Sequence, residues 1–208
     1  MNPSAKAQRT QQERSEATTT ELLDAARSLF AADGYRATSL GEIVRVAGVT
    51  KGALYHHFTG KDDLFRAVYI REDQELAAKQ AAAYSRKRDP WDGLHAGCRA
   101  FFEATLDPGV QRIMLLDAPA VLGWEEMRAI ESRYGLAQLQ STLKLLVKEG
   151  RIASRPVTPL AHLLHGAMCE GAMMVARAED QKAASRQVLR ELTTLLDSLR
   201  SSGSPRKR

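Results

Sequence analysis

The chain has 208 residues, a formal net charge of +5 and only 6% aromatic residues. That length allows one small and one medium domain with ample core, and an apolar content drawn largely from Ala and Leu favours helices. No apolar run is long enough to span a membrane, the polar N-terminus lacks the apolar segment of a secretory signal, and Cys98 and Cys169 are the only cysteines, so a cytoplasmic protein with reduced thiols is expected rather than a membrane protein or a disulfide scaffold.

Residues 1–15 have the polar composition of a disordered arm. A first helix is predicted from about Thr18–Thr20 to Asp33, buried through Leu22, Leu23, Ala26, Leu29 and Phe30 and stopped by Gly34. Leu40, Ile43, Val44 and Ala47 then repeat at i, i+3, i+4, i+7 and define a short second helix. Gly48 supplies the left-handed position that ends it, Val49 pins the turn, and Thr50 caps a third helix whose inner side is Leu54 and Phe58. The outer side of that third helix, Lys51, Gly52, Ala53, Tyr55, His56 and His57, is unusual. Solvated faces carry more acids, and Gly costs about 1 kcal/mol in a helix interior. Small residues that admit close approach, beside a cation and ring donors, suit a helix laid in a DNA groove, so residues 38–58 read as a helix-turn-helix. Bulk charge does not carry this reading, because residues 1–65 hold eight Lys/Arg and eight Asp/Glu. The placement of the cations and histidines does.

At these residues the chain resembles the tetracycline-repressor (TetR) family of transcriptional regulators. The resemblance covers about residues 18–66 and rests on Leu22, Ala26, Leu29, Phe30, Gly34, Tyr35, Thr38, Ile43, Ala47-Gly48-Val49, Lys51-Gly52, Leu54-Tyr55, His57-Phe58, Lys61 and Leu64. It implies a three-helix DNA-binding domain (1–62), a helical ligand-binding and dimerisation domain (63–200), and a repressor released from a palindromic double-stranded operator by a small molecule. Carried over position by position, it puts Lys51, Gly52 and Ala53 at base edges, and Thr38, Thr50, Tyr55, His56 and Lys61 at phosphates. Beyond about residue 70 it says little about the effector.

Further along, a long helix from Lys61 to Arg86, burying Leu64, Phe65, Val68 and Leu76, is expected to link and couple the two halves. Asp89-Pro90, Asp107-Pro108 and Thr158-Pro159 each set a capping side chain before a proline at the first helical position. Pro119 is expected to end the segment 109–117, and Trp124–Glu149 to run as one helix closed by Gly150. The fold is all-α, with about nine helices, and residues 201–208 form a disordered basic tail. The helix 124–149 is apolar on two sides, with Met127, Ile130 and Tyr134 on one and Leu136, Leu139, Leu143 and Leu146 on the other, so one side can wall a cavity. Candidate ligand contacts are Cys98, Phe101, Phe102, Met114, Asp117, Trp124, Tyr134, His165 and Cys169. Asp117 is the expected polar anchor, since a carboxylate beside an apolar run needs a partner if buried.

His162, His165 and Cys169 share one helical face, yet amid Leu163, Leu164, Met168 and Met173 they read as pocket or interface residues; no metal and no cofactor are called for. The acids Glu125, Glu126, Glu131 and Glu149, set among Arg128, Arg133 and Lys148, read as a solvated face. Homodimerisation is expected through residues 159–199, where Leu160, Leu164, Ala167, Gly171 and Val175 face Val188, Leu192, Leu195 and Leu199. No P-loop, dinucleotide fingerprint, nucleophile elbow or zinc-protease motif occurs, so no enzyme is expected. The alternative is a helix-turn-helix protein without small-molecule input. An enclosed cavity above about 300 Å³ separates the two.

Overall fold

The computed structural model describes the backbone of residues 3–201 and the side chains from residue 12 onward; the expected basic tail lies, from residue 202, outside them. Among the described residues there are ten helices and no strand. The first, α1 (Pro3–Ala37), starts well ahead of the expected Thr18–Thr20 and carries helix through the segment read as disordered. The reason is local: residues 4–33 contain no Gly or Pro and are rich in Ala, Gln, Glu and Arg. The regular helix breaks at Gly34 (φ 80°, ψ 167°), a region essentially closed to side-chain-bearing residues, before one more turn to Ala37.

The next two helices follow the expected grammar. In α2 (Leu40–Ala47) Ser39 and Glu42 form a reciprocal capping box, and Gly48 at φ 69° closes the C-terminus. Thr50 caps α3 (Lys51–His57) by accepting from Ala53 N–H at 3.1 Å. Ile43, Leu54 and Phe58 seat both helices on α1 and on α4 (Lys61–Ser85), where Phe30, Tyr35 and Phe65 pack ring on ring at 5.1–5.9 Å.

In the second half, Asp89 and Asp107 cap as expected at the heads of α5 (Pro90–Ala104) and α6, the rod formed by residues 108–121. Within α6 the run Gln111–Asp117 is a π-helix, and Pro119 does not end it. The proline falls in the first turn of the fresh α segment Ala118–Val121, where its missing N–H costs nothing. The expected single helix 124–149 is two helices, α7 (Trp124–Glu131) and α8 (Gly135–Lys148), broken at Tyr134 (φ −127°, ψ −100°). Two apolar faces on one sequence run are served by two axes, each with its own inner face. Last come α9 (Val157–Ala176), which starts at Val157 without any cap from Thr158, and α10 (Gln181–Ser198). No helix among the described residues is long and apolar enough to cross a membrane.

Two contacts between elements shape everything that follows. The first is the seat of α1 on α6. Arg27 pairs with Glu72 of α4 (2.8 Å) and reaches Asp107 (3.6 Å), and a Cβ on Gly109 would stand 2.9 Å from Ala31. One turn on, Arg112 covers Gly34, and Tyr35 N–H donates to Asp117 Oδ2 at 2.8 Å. The second is the inward turn of the helix faces expected to make a dimer. Leu164, Gly171, Val175, Leu192 and Leu196 are buried within the protomer, with Gly171 pressed on Phe102 and Val188. The outward face of α9 is instead Leu163 (73% exposed), Ala167 and Met174 (57%), with Leu195 (56%) on α10.

Candidate functional site

The helix-turn-helix presents an outer face of Lys51, Gly52, Tyr55 and His56, all exposed, with Ala53 half-buried between them. Tyr55 stands clear of the fold at 60% exposure, and Arg45 and Val46 of α2 extend the same side. The Thr50 hydroxyl, while capping α3, keeps its own O–H free to donate. Flat rings, one cation and small residues on a capped helix form a surface that fits a groove and its flanking phosphates.

Two expected phosphate contacts are otherwise engaged. Thr38 is 2% exposed and its hydroxyl donates inward to Gly34 O at 2.9 Å. The Lys61 ammonium donates to Tyr35 O (2.9 Å) and Thr38 O (3.0 Å) and lies 4.2 Å from the centre of the Tyr35 ring. Both residues tie the end of α1 to α4. His57 is likewise turned to α1, its Nδ1 3.3 Å from Thr19 Oγ1.

The second feature is a cavity of about 260 Å³ enclosed by α4, α5, α6, α7 and α9. It is smaller than the 300 Å³ expected of a sensor and partly open, with Trp124 (69% exposed) at the margin. Of the candidate ligand residues, Phe101, Met114, Trp124, His165 and Cys169 line it. Cys98 lines a smaller adjoining space of about 40 Å³ that shares Asp73, Leu76, Phe101 and His165 with the first. Three candidates lie elsewhere. Phe102 packs on Gly171, and Tyr134 accepts from Gln74 Nε2 at 2.8 Å. Asp117, the expected anchor, is turned to the DNA-binding half, 2.8 Å from Tyr35 N and 3.5 Å from Arg112 Nε.

Among the polar groups that line the cavity, Tyr69 and Asp73 went unnamed in the sequence reading, and Arg128 and Glu131 were placed on a solvated face. Glu131, read as solvated, is 6% exposed; its Oε1 accepts from Tyr69 Oη at 3.1 Å. Its Oε2 lies 2.9 Å from Arg128 Nη1, close enough for an ion pair but without hydrogen-bond geometry. Arg128 also donates to His165 Nδ1 at 2.8 Å, which leaves the imidazole proton on Nε2, and stacks 4.2 Å from the Trp124 ring centre. Asp73 is 5% exposed, and its Oδ2 has no hydrogen-bond partner among the described residues. Burial, helped by the nearby Glu131 carboxylate, pushes the Asp73 carboxyl up to about 7. Burial holds His165 down at about 4, with Arg128 adding to it, and lifts the Cys169 thiol to about 12. The warning in the sequence was the i, i+4, i+7 face Tyr69-Asp73-Leu76, an acid set on an apolar stripe.

Glu131, His165 and Cys169 bring donor atoms within 4.8 Å of one another, so Glu131 stands where His162 was expected; His162 is exposed. The Arg128 guanidinium already engages His165 Nδ1 and Glu131 Oε2, placing a fixed positive charge in the cluster, and burial keeps the thiol protonated. The cluster is built as an ion pair, Arg128 with Glu131, and a hydrogen bond, Arg128 to His165, rather than as a ligand set.

A helix-turn-helix on an all-helical body with an internal cavity defines a DNA-binding transcriptional regulator. Residues 22–68 match the model of the bacterial regulatory proteins of the tetR family, and residues 91–199 match the tetracyclin repressor-like C-terminal domain. The chain belongs to the TetR family, whose members bind DNA operators as dimers and are regulators rather than enzymes. It is 30% identical over 158 residues to the transposon Tn10 TetC protein of Escherichia coli, covering 75% of this chain and 79% of that protein. It is 49% identical to the transcriptional regulator AcrR of Shigella flexneri over 70 residues, 34% of this chain and 32% of that one. The crystal structure of a TetR-family regulator from Pectobacterium atrosepticum superposes with a TM-score of 0.80 at 35% identity, over 93% of this chain and 98% of that chain.

Two outcomes follow. Tyr55→Phe should weaken DNA binding by about 0.5–1.5 kcal/mol, to a similar extent on every sequence. Lys61→Met should lower the melting temperature and leave the salt dependence of binding unchanged; a shallower salt slope in Lys61→Met would return Lys61 to the phosphates. For Asp73 the sign is set by its raised carboxyl. The folded chain keeps the proton up to about 7 while the unfolded chain releases it near the ordinary carboxylate value of 3.8, so Asp73 costs stability progressively as pH rises between them. Asp73→Asn should therefore gain on wild type between about pH 5 and about pH 8, by an amount on the order of 4 kcal/mol at most, measured by thermal melting.

Proposed function

We propose that this protein is a cytoplasmic repressor that holds a palindromic operator as a homodimer and releases it when a small molecule enters the cavity. The observation that carries the reading is the position of α6. Its residues Met114, Leu115 and Pro119 wall the cavity, while Arg112 and Asp117 of the same rod hold Gly34 and Tyr35. A molecule that favours a different seat for α6 changes the seat of α1, and with it the angle of α3. The size of that effect is bounded by the molecule's differential affinity for the two arrangements.

The dimer in this reading packs through Leu163, Ala167 and Met174 of α9 with Leu195 of α10, the exposed apolar side of the C-terminal hairpin. Two copies then set their recognition helices about one DNA turn apart, roughly 34–36 Å. A second reading, a DNA-binding protein with no small-molecule input, draws on the cavity being below 300 Å³ and partly open. It leaves the buried, unpartnered Asp73 without a purpose.

DNA selected from a random pool by the full-length protein should contain an inverted repeat. Leu163→Arg or Met174→Arg should sediment as a folded monomer at micromolar concentration and lose tight binding to that repeat. A dimer mass in both variants would move the interface off this face, and selection of an unpaired half-site would refute the two-fold arrangement.

A further inference from the structure

We propose that the cavity takes an organic cation, a small aryl- or alkylammonium, whose charge pairs with Asp73 while its apolar part lies among Phe101, Met114, Trp124 and Met173. This rests on the reading of the cavity as the effector site and names the class of effector.

Charge balance around the wall leads to this assignment. The titratable and charged groups that share a wall with Asp73 are Tyr69 and, across the adjoining space, Tyr84 on its own helix, Arg128 and Glu131 on α7, His165, Cys169 and Glu170 on α9, and the buried Cys98 thiol on α5, which burial keeps protonated; α6 brings only uncharged residues. Arg128, the single cation, is committed to Glu131 at 2.9 Å, to His165 at 2.8 Å and to the Trp124 ring at 4.2 Å. His165 is held neutral by burial, and the Cys169 thiol and Tyr69 phenol keep their protons. One carboxylate is therefore left over, before counting the exposed Glu170. That carboxylate is Asp73, which lines the cavity, is 5% exposed, and has its Oδ2 buried without a hydrogen-bond partner among the described residues.

An unpaired carboxylate in such a place is costly, and a ligand that supplies the opposite charge recovers the cost on binding. A carboxylate ligand would meet Asp73 and find Arg128 taken. An uncharged hydrocarbon would fill the space and leave Asp73 as it is. The remaining wall is what an ammonium group tolerates well, aromatic faces and polarizable thioethers. The 260 Å³ volume falls below the range for drug-sized ligands, which limits the occupant to a compact one.

The test uses benzyltrimethylammonium, its uncharged carbon isostere neopentylbenzene, and benzoate, titrated calorimetrically into the full-length protein and into Asp73→Asn. The ammonium should bind at least about tenfold more tightly than the isostere, in line with a charge-assisted contact. Its affinity should rise with pH up to about 7, by at most about tenfold per pH unit, because Asp73 must release its proton to receive it. The probe carries a permanent charge, so that dependence belongs to the protein. Asp73→Asn should lose both the preference and the pH dependence, with a melting curve on the same sample confirming the fold.

Equal binding of the ammonium and the isostere overturns the proposal. So does ammonium binding that survives Asp73→Asn, or no ammonium binding up to millimolar concentration. Release of operator DNA by the isostere or by benzoate would overturn the cationic class and leave the effector reading standing. Tight, Asp73-dependent ammonium binding without any change in DNA affinity would support the cation site and overturn the effector reading.

Discussion

The hydrogen bond from the Tyr35 backbone N–H to the Asp117 carboxylate, at 2.8 Å, ties the end of α1 to α6. On one side the chain has just passed Gly34, held at φ 80°, ψ 167°, and Tyr35 is pinned by its ring contacts with Phe30 and Phe65. On the other, Asp117 closes the π-helical run of α6, and the Arg112 guanidinium from the same run lies directly over Gly34. The glycine is required for its dihedrals, and it lets the Arg112 guanidinium lie directly over the backbone. Lys61 continues the connection, fastening Tyr35 O and Thr38 O to the head of α4. The end of α1, the start of α2 and the start of α4 are held as one unit by α6.

The same rod borders the cavity, and the wider turn of a π-helix explains how. A π segment adds a residue per turn and shifts the faces that follow. Met114 and Leu115 reach the cavity while Arg112 and Asp117 reach α1, an allocation that puts cavity-facing and α1-facing side chains on opposite sides of seven residues, Gln111–Asp117. The cavity itself is tense electrostatically. Glu131 and Arg128 neutralise one another, His165 accepts from Arg128, and Asp73 is left with a proton it gives up only near 7. Such an arrangement costs stability, because the Asp73 carboxylate is buried without a partner of opposite charge.

Much of the fold was legible in the sequence because it is written in local signals. Gly34, Gly48, Thr50, Asp89 and Asp107 all act as their residue types predict, and the two-helix turn at 47–50 needs no distant partner to be recognised. What misled was charge whose partner is far away in sequence. Asp117 looked like a pocket anchor because its true partner, Tyr35, is 82 residues distant. Glu131 looked solvated because the neighbouring basic residues suggested surface pairs, whereas Tyr69, 62 residues away, draws it inside. Lys61 and Thr38 matched a phosphate-binding pattern while serving backbone carbonyls. Leu164, Gly171, Val175 and Leu192 formed a correct apolar stripe whose destination, core or partner, periodicity alone does not state.

The account stands on α6 setting the position of the recognition helices through Asp117, and an inter-helix distance measures this directly. Cys98 is buried and Cys169 half-buried, both with raised thiols, so a spin label placed at His56→Cys reacts selectively. Pulsed electron–electron resonance on the dimer should give a narrow distribution set by recognition helices about 34–36 Å apart. Asp117→Ala, which removes the acceptor of Tyr35 N–H without touching the cavity wall or α3, should broaden or displace that distribution in the absence of any ligand. An Asp117→Ala distribution that overlays the unsubstituted protein would contradict the account and leave α4 alone to carry the coupling.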